Sequence, residues 1–422
     1  MTSKNRNKTH EAFVWVWLAN ETKPIVAGRL EAINRTVLFN YGKSYIERIN
    51  DTAPAMSLYE PELPLRAGEL PLLDGLSMPG CIRDAAPDAW GRRVIINKKL
   101  GLKGKNTNTA ELDELTYLLE SGSDRIGALD FQRSPTEYVP RAAANVPLSE
   151  LLESAERVEK GFPLTPELDL ALYHGSSIGG ARPKALIEDQ GNKYVAKFSS
   201  QDDLYNVVKA EFIAMRLAKL AGLTVAPVQL VRAANKDVLL IERFDREKTA
   251  HGWTRKTMVS ALTLFGLDDM MARYASYEKL AEIIRHRFTH PKETLHELFS
   301  RLVFNILCGN TDDHARNHAA FWDGKYLSLT PAYDICPQGR AGNEASQAML
   351  ISGNKNLSQL KNCLETAHNF FLSEQAARRI FTRQKDIIEN NWAVVCDEAE
   401  LSAVDRALLW QRQFLNPFSV EE

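Results

Sequence analysis

The sequence predicts an α+β protein in which a small β-rich lobe precedes a larger, all-helical lobe, with a small mixed unit in front of both. Three observations carry this. Segments rich in β-branched and aromatic residues concentrate before residue 246. Amphipathic helical spacing dominates beyond residue 255. At 422 residues the chain is longer than one core usually holds, so two or three packed units are expected.

The elements follow in order. Residues 1–10 are polar and read as a disordered tail. FVWVWLA (13–19) and TVLFNY (36–41) have strand composition, whereas 61–80 is too punctuated by Pro and Gly to be one long helix. DAWGRRVIINKKL (88–100) and TAELDELTYLLESG (109–122) show helical spacing, which closes a first unit over 11–145. A second unit, 146–246, begins its strands with ARPKALIED and NKYVAKFSS, a hairpin turning at Asp189-Gln190-Gly191-Asn192. The amphipathic helix 207–223 follows, with Gly222 as its C-cap, and then strands in TVAPVQLVRA and KDVLLIERFD. The third unit, 247–422, reads as helical, with KTMVSALTLFG, YEKLAEIIRHRF, ETLHELFSRLVFNILCG and SEQAARRIFTRQKDIIENNWAVV as its helices.

Bulk composition narrows the classes. With 44% hydrophobic and 25% charged residues, the chain is an ordinary globular one. A net charge of -2 excludes a generally basic nucleic-acid binder. Cys81, Cys308, Cys336, Cys363 and Cys396 form no CxxC pair and suit buried thiols in a reducing cytosol. The positively charged start has no apolar region behind it, and no apolar run approaches the roughly 20 residues of a membrane helix. A cytoplasmic, soluble protein without a membrane partner is expected.

Chemistry concentrates in CGNTDDHARNHAA (308–320). His314 and His318, one helical turn apart, could be half of a metal-hydrolase site, but the glutamate of H-E-x-x-H is missing. Alternatively, Asp312 and Asn317 have the spacing of a phosphoryl-transfer loop, with Asp312 accepting a hydroxyl proton and Asn317 binding magnesium. Asp334, in LTPAYDICP, follows as a second magnesium ligand, since hard cations prefer carboxylate and amide oxygens. The other parts stand in protein-kinase order. Gly179 and Gly180 in HGSSIGGARPK let the backbone approach phosphates, though paired glycines are more often just a turn. Lys197, in an apolar strand, would reach phosphates with Glu211 holding it extended; the bland alternative is a surface lysine and a surface glutamate. In ERFDR (242–246), the backbone of Glu242 and Phe244 could meet an adenine edge and Asp245 a ribose. His314 is read as a loop residue, not a metal ligand. Asp313 could brace the loop.

Over nearly its whole length the chain resembles the HipA family, serine/threonine-kinase toxins of bacterial type II toxin–antitoxin systems. LRAGELPLLDGL, PDAWGRRVI and SDRIGALDF are similar to its amino-terminal subdomain; SSIGGARPKA, LLIERFDR, NTDDHARNHA and LTPAYDI are similar to its kinase core. The resemblance implies an atypical two-lobed protein-kinase-like fold. No His-Arg precedes Asp312, Tyr-Asp-Ile stands where Asp-Phe-Gly would, and no Ala-Pro-Glu follows. It implies ATP and Mg2+ as cofactors, with ATP held by Ser177, Ile178, Gly179, Gly180, Ala181, Lys184, Lys197, Glu242, Phe244, Asp245, His314 and Asn317. Asp312 and Lys197 are then catalytic, and Asn317 and Asp334 hold metal. Autophosphorylation of a phosphate-loop serine, by position Ser177 with Ser176 beside it, would repel the nucleotide's phosphates. The family also implies an aminoacyl-tRNA synthetase as substrate, glutamyl-tRNA synthetase or a relative, with persistence as the outcome. A HipB-like helix-turn-helix antitoxin on a separate chain is the implied partner, and DNA is reached only through that complex. Arg378, Arg379 and Arg383 could touch DNA phosphates there, although a solvated helix face is the better reading. Two alternatives remain at this stage: a vestigial co-repressor that has lost catalysis, and a kinase of small molecules or lipids.

Overall fold

The computed structural model describes residues 10–100, 112–141, 146–160, 162, 182–200 and 203–421. Its first unit is an antiparallel sheet of order β3-β2-β1-β4, with β1 Glu11–Val16, β2 Ile25–Ile33, β3 Thr36–Tyr41 and β4 Leu129–Gln132. Alternation along β1 and β3 sends Val14, Val16, Phe39 and Tyr41 into the core. In β2, Gly28 is dictated by packing, because a Cβ there would stand 2.2 Å from the Asn40 carbonyl oxygen. Helix α1 (Ala89–Leu100) and helix α2 (Glu114–Glu120, capped by Asp113 accepting from the Thr116 amide) complete the unit.

A second antiparallel sheet has the order β5-β6-β8-β7, from β5 Lys184–Asp189, β6 Asn192–Phe198, β7 Val228–Ala233 and β8 Lys236–Glu242. The β5–β6 turn falls where the sequence places it, with positive φ at both Gln190 (47°) and Gly191 (80°), the geometry that matches strand twist. Period-two alternation divides the strands' side chains between two faces. Tyr194, Ala196 and Phe198, with Val238 and Leu240, pack under α1 and α3 (Leu148–Lys160) through Trp90, Leu151, Leu152 and Ala155. Val195 and Lys197 are left for the opposite face. Helix α4 (Val207–Leu220) packs against β7 and β8; its C-cap is Ala221 and not the predicted Gly222, which follows one residue later in the left-handed conformation (φ 86°) that glycine favours there.

Helices α5 (Tyr277–Arg287), α6 (Pro291–Cys308), α7 (Leu360–Thr366), α8 (Glu374–Glu398) and α9 (Ala403–Leu409) build the carboxy-terminal unit. Helix α6 is its axis: Leu295 through Cys308 is buried almost without interruption, and it packs on α5, α7 and α8. It ends at Gly309, where φ is 72° and a Cβ would lie 2.6 Å from the Gln413 carbonyl oxygen, so the chain can turn sharply into the Asp312 loop.

The expectation of an all-helical lobe needs correction. Besides the hairpin β9 (Arg246–Thr249) and β10 (Gly252–Arg255), strand β11 (Met258–Ser260) pairs with β12 (Ala319–Trp322), which pairs with β13 (Leu327–Leu329). The MVS of KTMVS is therefore strand, and helix begins only after Ser260, whose hydroxyl caps Thr263. Strands this short carry no readable periodicity, and their partners lie far along the chain. Helix α3 and strand β2 also went unread. The 1–10 tail lies outside the described residues except for His10, which is exposed. Among the described residues, no helix is long and apolar enough to cross a membrane.

Candidate active site

A cavity of about 520 Å³ lies between the second sheet, the Asp312 loop and the amino-terminal unit. Its chemistry starts with register. β5 and β6 place Lys184 directly opposite Lys197, and two ammonium groups so placed repel each other unless anions compensate. Here the anions arrive from two other elements. Glu211 of α4 meets Lys197 at 2.6 Å, and Asp334 contributes a second carboxylate to the same ammonium. Lys197 is buried, and its desolvation is more than offset by Asp334 and Glu211, which hold it above the ordinary lysine range. Burial and the Lys197 charge push Lys184 down to about 8. Desolvation also works against Asp334, yet Lys197, then Lys184, hold it well below the usual carboxylate range.

Asp334 stands at φ 60°, a left-handed conformation that Asp tolerates better than most residues. Its Oδ2 accepts from Asn317 Nδ2 at 2.9 Å. That bond orients the amide so that Asn317 Oδ1 is buried without a partner among the described residues. An orphaned amide oxygen beside a carboxylate is a donor set that suits a hard divalent cation. Magnesium usually takes one or two protein oxygens and completes its shell with water and phosphate. Among the described residues, no group of three or more His, Cys, Asp or Glu side chains could hold a metal. A bound ion would accordingly depend on Asp334, Asn317 and the ligand's own oxygens.

The loop carrying Asp312 is braced from beneath. Buried Asp313 pairs with His318 Nε2 at 3.0 Å and accepts from the Tyr277 hydroxyl; burial opposes its charge, but these contacts keep it below the ordinary value. His318 is thus turned inward while His314 lines the cavity, so the two histidines do not form the half-site considered above. Asp312 is exposed. Partial desolvation raises its pKa, and the Asp334 and Asp313 carboxylates add to this against the pull of His314. A carboxylate raised in this way is a better proton acceptor.

The hinge differs from expectation at one residue. Glu242 and Phe244 line the cavity, with Phe244 packed on Phe321 and Tyr333. Asp245 lines the same cavity, but its carboxylate is engaged within the protein. Its oxygens take bonds from Arg243 (2.7 and 2.9 Å), Arg246 (2.8 Å) and the Gly127 amide (2.8 Å). Asp124 binds the same two arginines, and both donate to the Arg125 carbonyl as well. SDRIG and ERFDR are two halves of one buried ionic lock between the amino-terminal unit and the hinge. Desolvation is again overcome, since Arg243 and Arg246 draw Asp245 down to about 2.

A second link joins the amino-terminal unit to the site. Asp88 pairs with Arg316 at 2.6 Å, and Arg316 also reaches Asp269 at 2.6 Å. Two residues on, Trp90 donates to the Lys184 carbonyl at 3.1 Å. The start of α1 thus ties the Asp312–Asn317 loop to β5. Sequence reasoning missed Asp88, Asp124, Arg243, Arg246 and Arg316; charges inside otherwise apolar motifs were the available signal. Of the predicted residues, Lys184, Lys197, Glu242, Phe244, Asp245, His314 and Asp334 line the cavity, and Glu211 and Asn317 join it through hydrogen bonds to Lys197 and Asp334. Ser176, Ser177, Ile178, Gly179, Gly180 and Ala181 lie outside the described residues.

Residues 16–132 match the HipA N-terminal domain family, and residues 176–392 match the HipA-like C-terminal domain family. A putative kinase, Y4mE, of Sinorhizobium fredii is 25% identical over 263 residues, 58% of this chain and 60% of that protein. The serine/threonine-protein kinase toxin HipA of Shewanella oneidensis is 25% identical over 272 residues, 57% of this chain and 60% of that protein. The matches therefore span about 60% of these relatives' length. A solved complex of HipA from Shewanella oneidensis with HipB and operator DNA superposes with a TM-score of 0.67 at 20% identity, covering 96% of this chain and 99% of that one. That likeness establishes the α+β fold.

Proposed function

Because the chain belongs to the HipA family, we propose that it is an ATP- and magnesium-dependent serine/threonine-protein kinase, the toxin of a HipBA-type pair. The observation that carries this reading is the bonded cluster of Lys197, Glu211, Asn317 and Asp334, which Lys197 and Asp334 present to one cavity beside the Asp312 loop. Glu242 and Phe244 border the adenine end, and Lys184 and Lys197 face the phosphate chain. Asn317 and Asp334 would hold a divalent ion, which would supply charge neutralisation at the phosphoryl oxygens. Asp312 takes the proton of a serine or threonine hydroxyl. The oxygen forms a bond to the γ-phosphorus as the bond to the β–γ bridging oxygen breaks, releasing ADP. Asp313, held by Tyr277 and His318, keeps the Asp312 backbone in place.

By family likeness the substrate is an aminoacyl-tRNA synthetase, such as glutamyl-tRNA synthetase, in the cytoplasm. Ser177, or its neighbour Ser176, is the self-inactivating phosphosite. HipB accompanies the relative from Shewanella oneidensis in its solved complex, which supports a HipB-like antitoxin as this chain's partner and DNA contact through it. The test is transfer of labelled γ-phosphate to the protein itself, followed by mass spectrometry. Phosphate on Ser176 or Ser177 is expected. Asp312→Asn should lower the rate by about 10²–10⁴-fold with unchanged folding. Undiminished labelling in that variant would remove Asp312 from the mechanism, and a wild type without magnesium-dependent ATP affinity would overturn the kinase reading.

The Asp88–Arg316 pair yields a separate expectation. Asp88→Asn removes a carboxylate holding the loop that carries Asn317, while Asp269 still pairs with Arg316. The turnover number should fall about tenfold with little change in melting temperature, because partly exposed ion pairs add little stability. An equal loss of stability and rate would mean that the pair serves only the fold.

A further inference from the structure

Arg83 is a cavity-lining residue to which neither the sequence nor the family match assigns a role. It closes the helical turn Gly80–Arg83, and its Nε and Nη2 are buried without a hydrogen-bond partner among the described residues. Those two nitrogens form the side-on fork of a guanidinium, the edge that grips two oxygens of a carboxylate or phosphoryl group at once. Leaving such donors buried and unpaired is costly, so a partner is to be expected.

The neighbouring carboxylates are already committed. Asp84 accepts from the Ser260 amide and hydroxyl, both at 2.7 Å. Glu62 accepts from the Gly80 and Cys81 amides, both at 2.9 Å. Asp88 and Asp269 share Arg316. The turn itself is held rigidly: a Cβ on Gly80 would lie 2.7 Å from both Glu62 Oε1 and Thr263 Oγ1. Among the described residues the fork therefore has no partner, which leaves it open to a group on a bound ligand.

We propose that Arg83 is an oxyanion-recognition residue of the cleft, its fork receiving two oxygens of a phosphoryl or carboxylate group on the bound ligand. This rests on the kinase reading for the ligand's identity: the group belongs either to the nucleotide's phosphate chain or to an acidic residue beside the acceptor hydroxyl. Full-length wild type, Arg83→Gln and Arg83→Lys are titrated with inorganic pyrophosphate, Mg-ADP and adenosine. They are then assayed with serine peptides carrying Glu or Gln near the serine. Since the Arg83 side chain has no partner among the described residues to lose, both variants should fold, which melting curves check.

Weakening of Mg-ADP by about tenfold or more in Arg83→Gln, with adenosine unchanged and Arg83→Lys giving at most partial rescue, supports the proposal and assigns the phosphate source. Loss of a Glu-over-Gln preference in the variants supports it and assigns the acceptor source. If wild type ignores Mg-ADP yet binds pyrophosphate in an Arg83-dependent way, the kinase reading fails and the anion site stands. Identical pyrophosphate, Mg-ADP and peptide behaviour in wild type and both variants overturns the proposal.

Discussion

Asp334→Asn is expected to reduce phosphoryl transfer by about 10³-fold or more, on the order of 4 kcal/mol of transition-state stabilisation. Asp334 joins three parts of the site: it accepts from Lys197, accepts from Asn317 Nδ2, and offers a carboxylate beside the Asn317 amide whose oxygen is unpartnered among the described residues. The substitution is nearly isosteric but reverses part of the hydrogen bonding. An amide NH2 turned toward the Lys197 ammonium sets donor against donor, and turned toward Asn317 Nδ2 it does the same. Lys197 would retreat to Glu211 alone, and the divalent ion would lose its anionic ligand. The measurements are initial rates of γ-phosphate transfer and calorimetric Mg-ADP affinity. Adenosine binding should persist, because the hinge is untouched. A rate within tenfold of wild type would separate Asp334 from catalysis.

Asp245→Ala should have the largest effect on stability. It strands Arg243 and Arg246, each buried, with only Asp124 as a remaining carboxylate partner. Breaking a buried pair from one side typically costs about 3–5 kcal/mol, because an uncompensated charge stays behind. The loss should appear as a lower midpoint in urea and as separate unfolding of the amino-terminal unit, since Asp245 also accepts from the Gly127 amide. The pH dependence has a definite sign. The carboxyl of Asp245 titrates at about 2 in the folded chain against about 3.9 when unfolded. Its contribution is full above about pH 4 and lost as pH falls toward 2, a loss of roughly 2–3 kcal/mol. The Asp245→Ala protein should therefore lose less stability than wild type over that interval. Identical acid transitions would mean that the lock contributes little.

The loop at 310–319 was legible because its chemistry is local: Asp312 and Asn317 belong to one short segment, and spacing alone suggests their roles. Lys197 was legible for a related reason, since an ammonium in an apolar strand needs an anion and Glu211 follows in the next helix. Asp245 was misread. ERFDR does set Arg243 and Arg246 beside this aspartate, but nothing local reveals that the Gly127 amide and the Asp124 carboxylate complete the lock. The three-stranded sheet β11–β12–β13 was missed for the same reason, since Met258–Ser260 finds its partner at Ala319–Phe321.

By itself, the sequence determined which side chains were available and how each segment alternates: the β5–β6 turn, the left-handed Gly222 that stops α4, and the face of β6 that presents Lys197. These follow from local backbone preference and from periods of two and about 3.6 residues, which act over a few neighbours. Tertiary structure alone decided which charges meet: Asp88 with Arg316, Asp124 with Arg243 and Arg246, and an Arg83 fork without a partner among the described residues. Electrostatic pairing acts through space among desolvated groups that chain order leaves far apart, so only the folded arrangement reveals which ions are matched and which await a ligand.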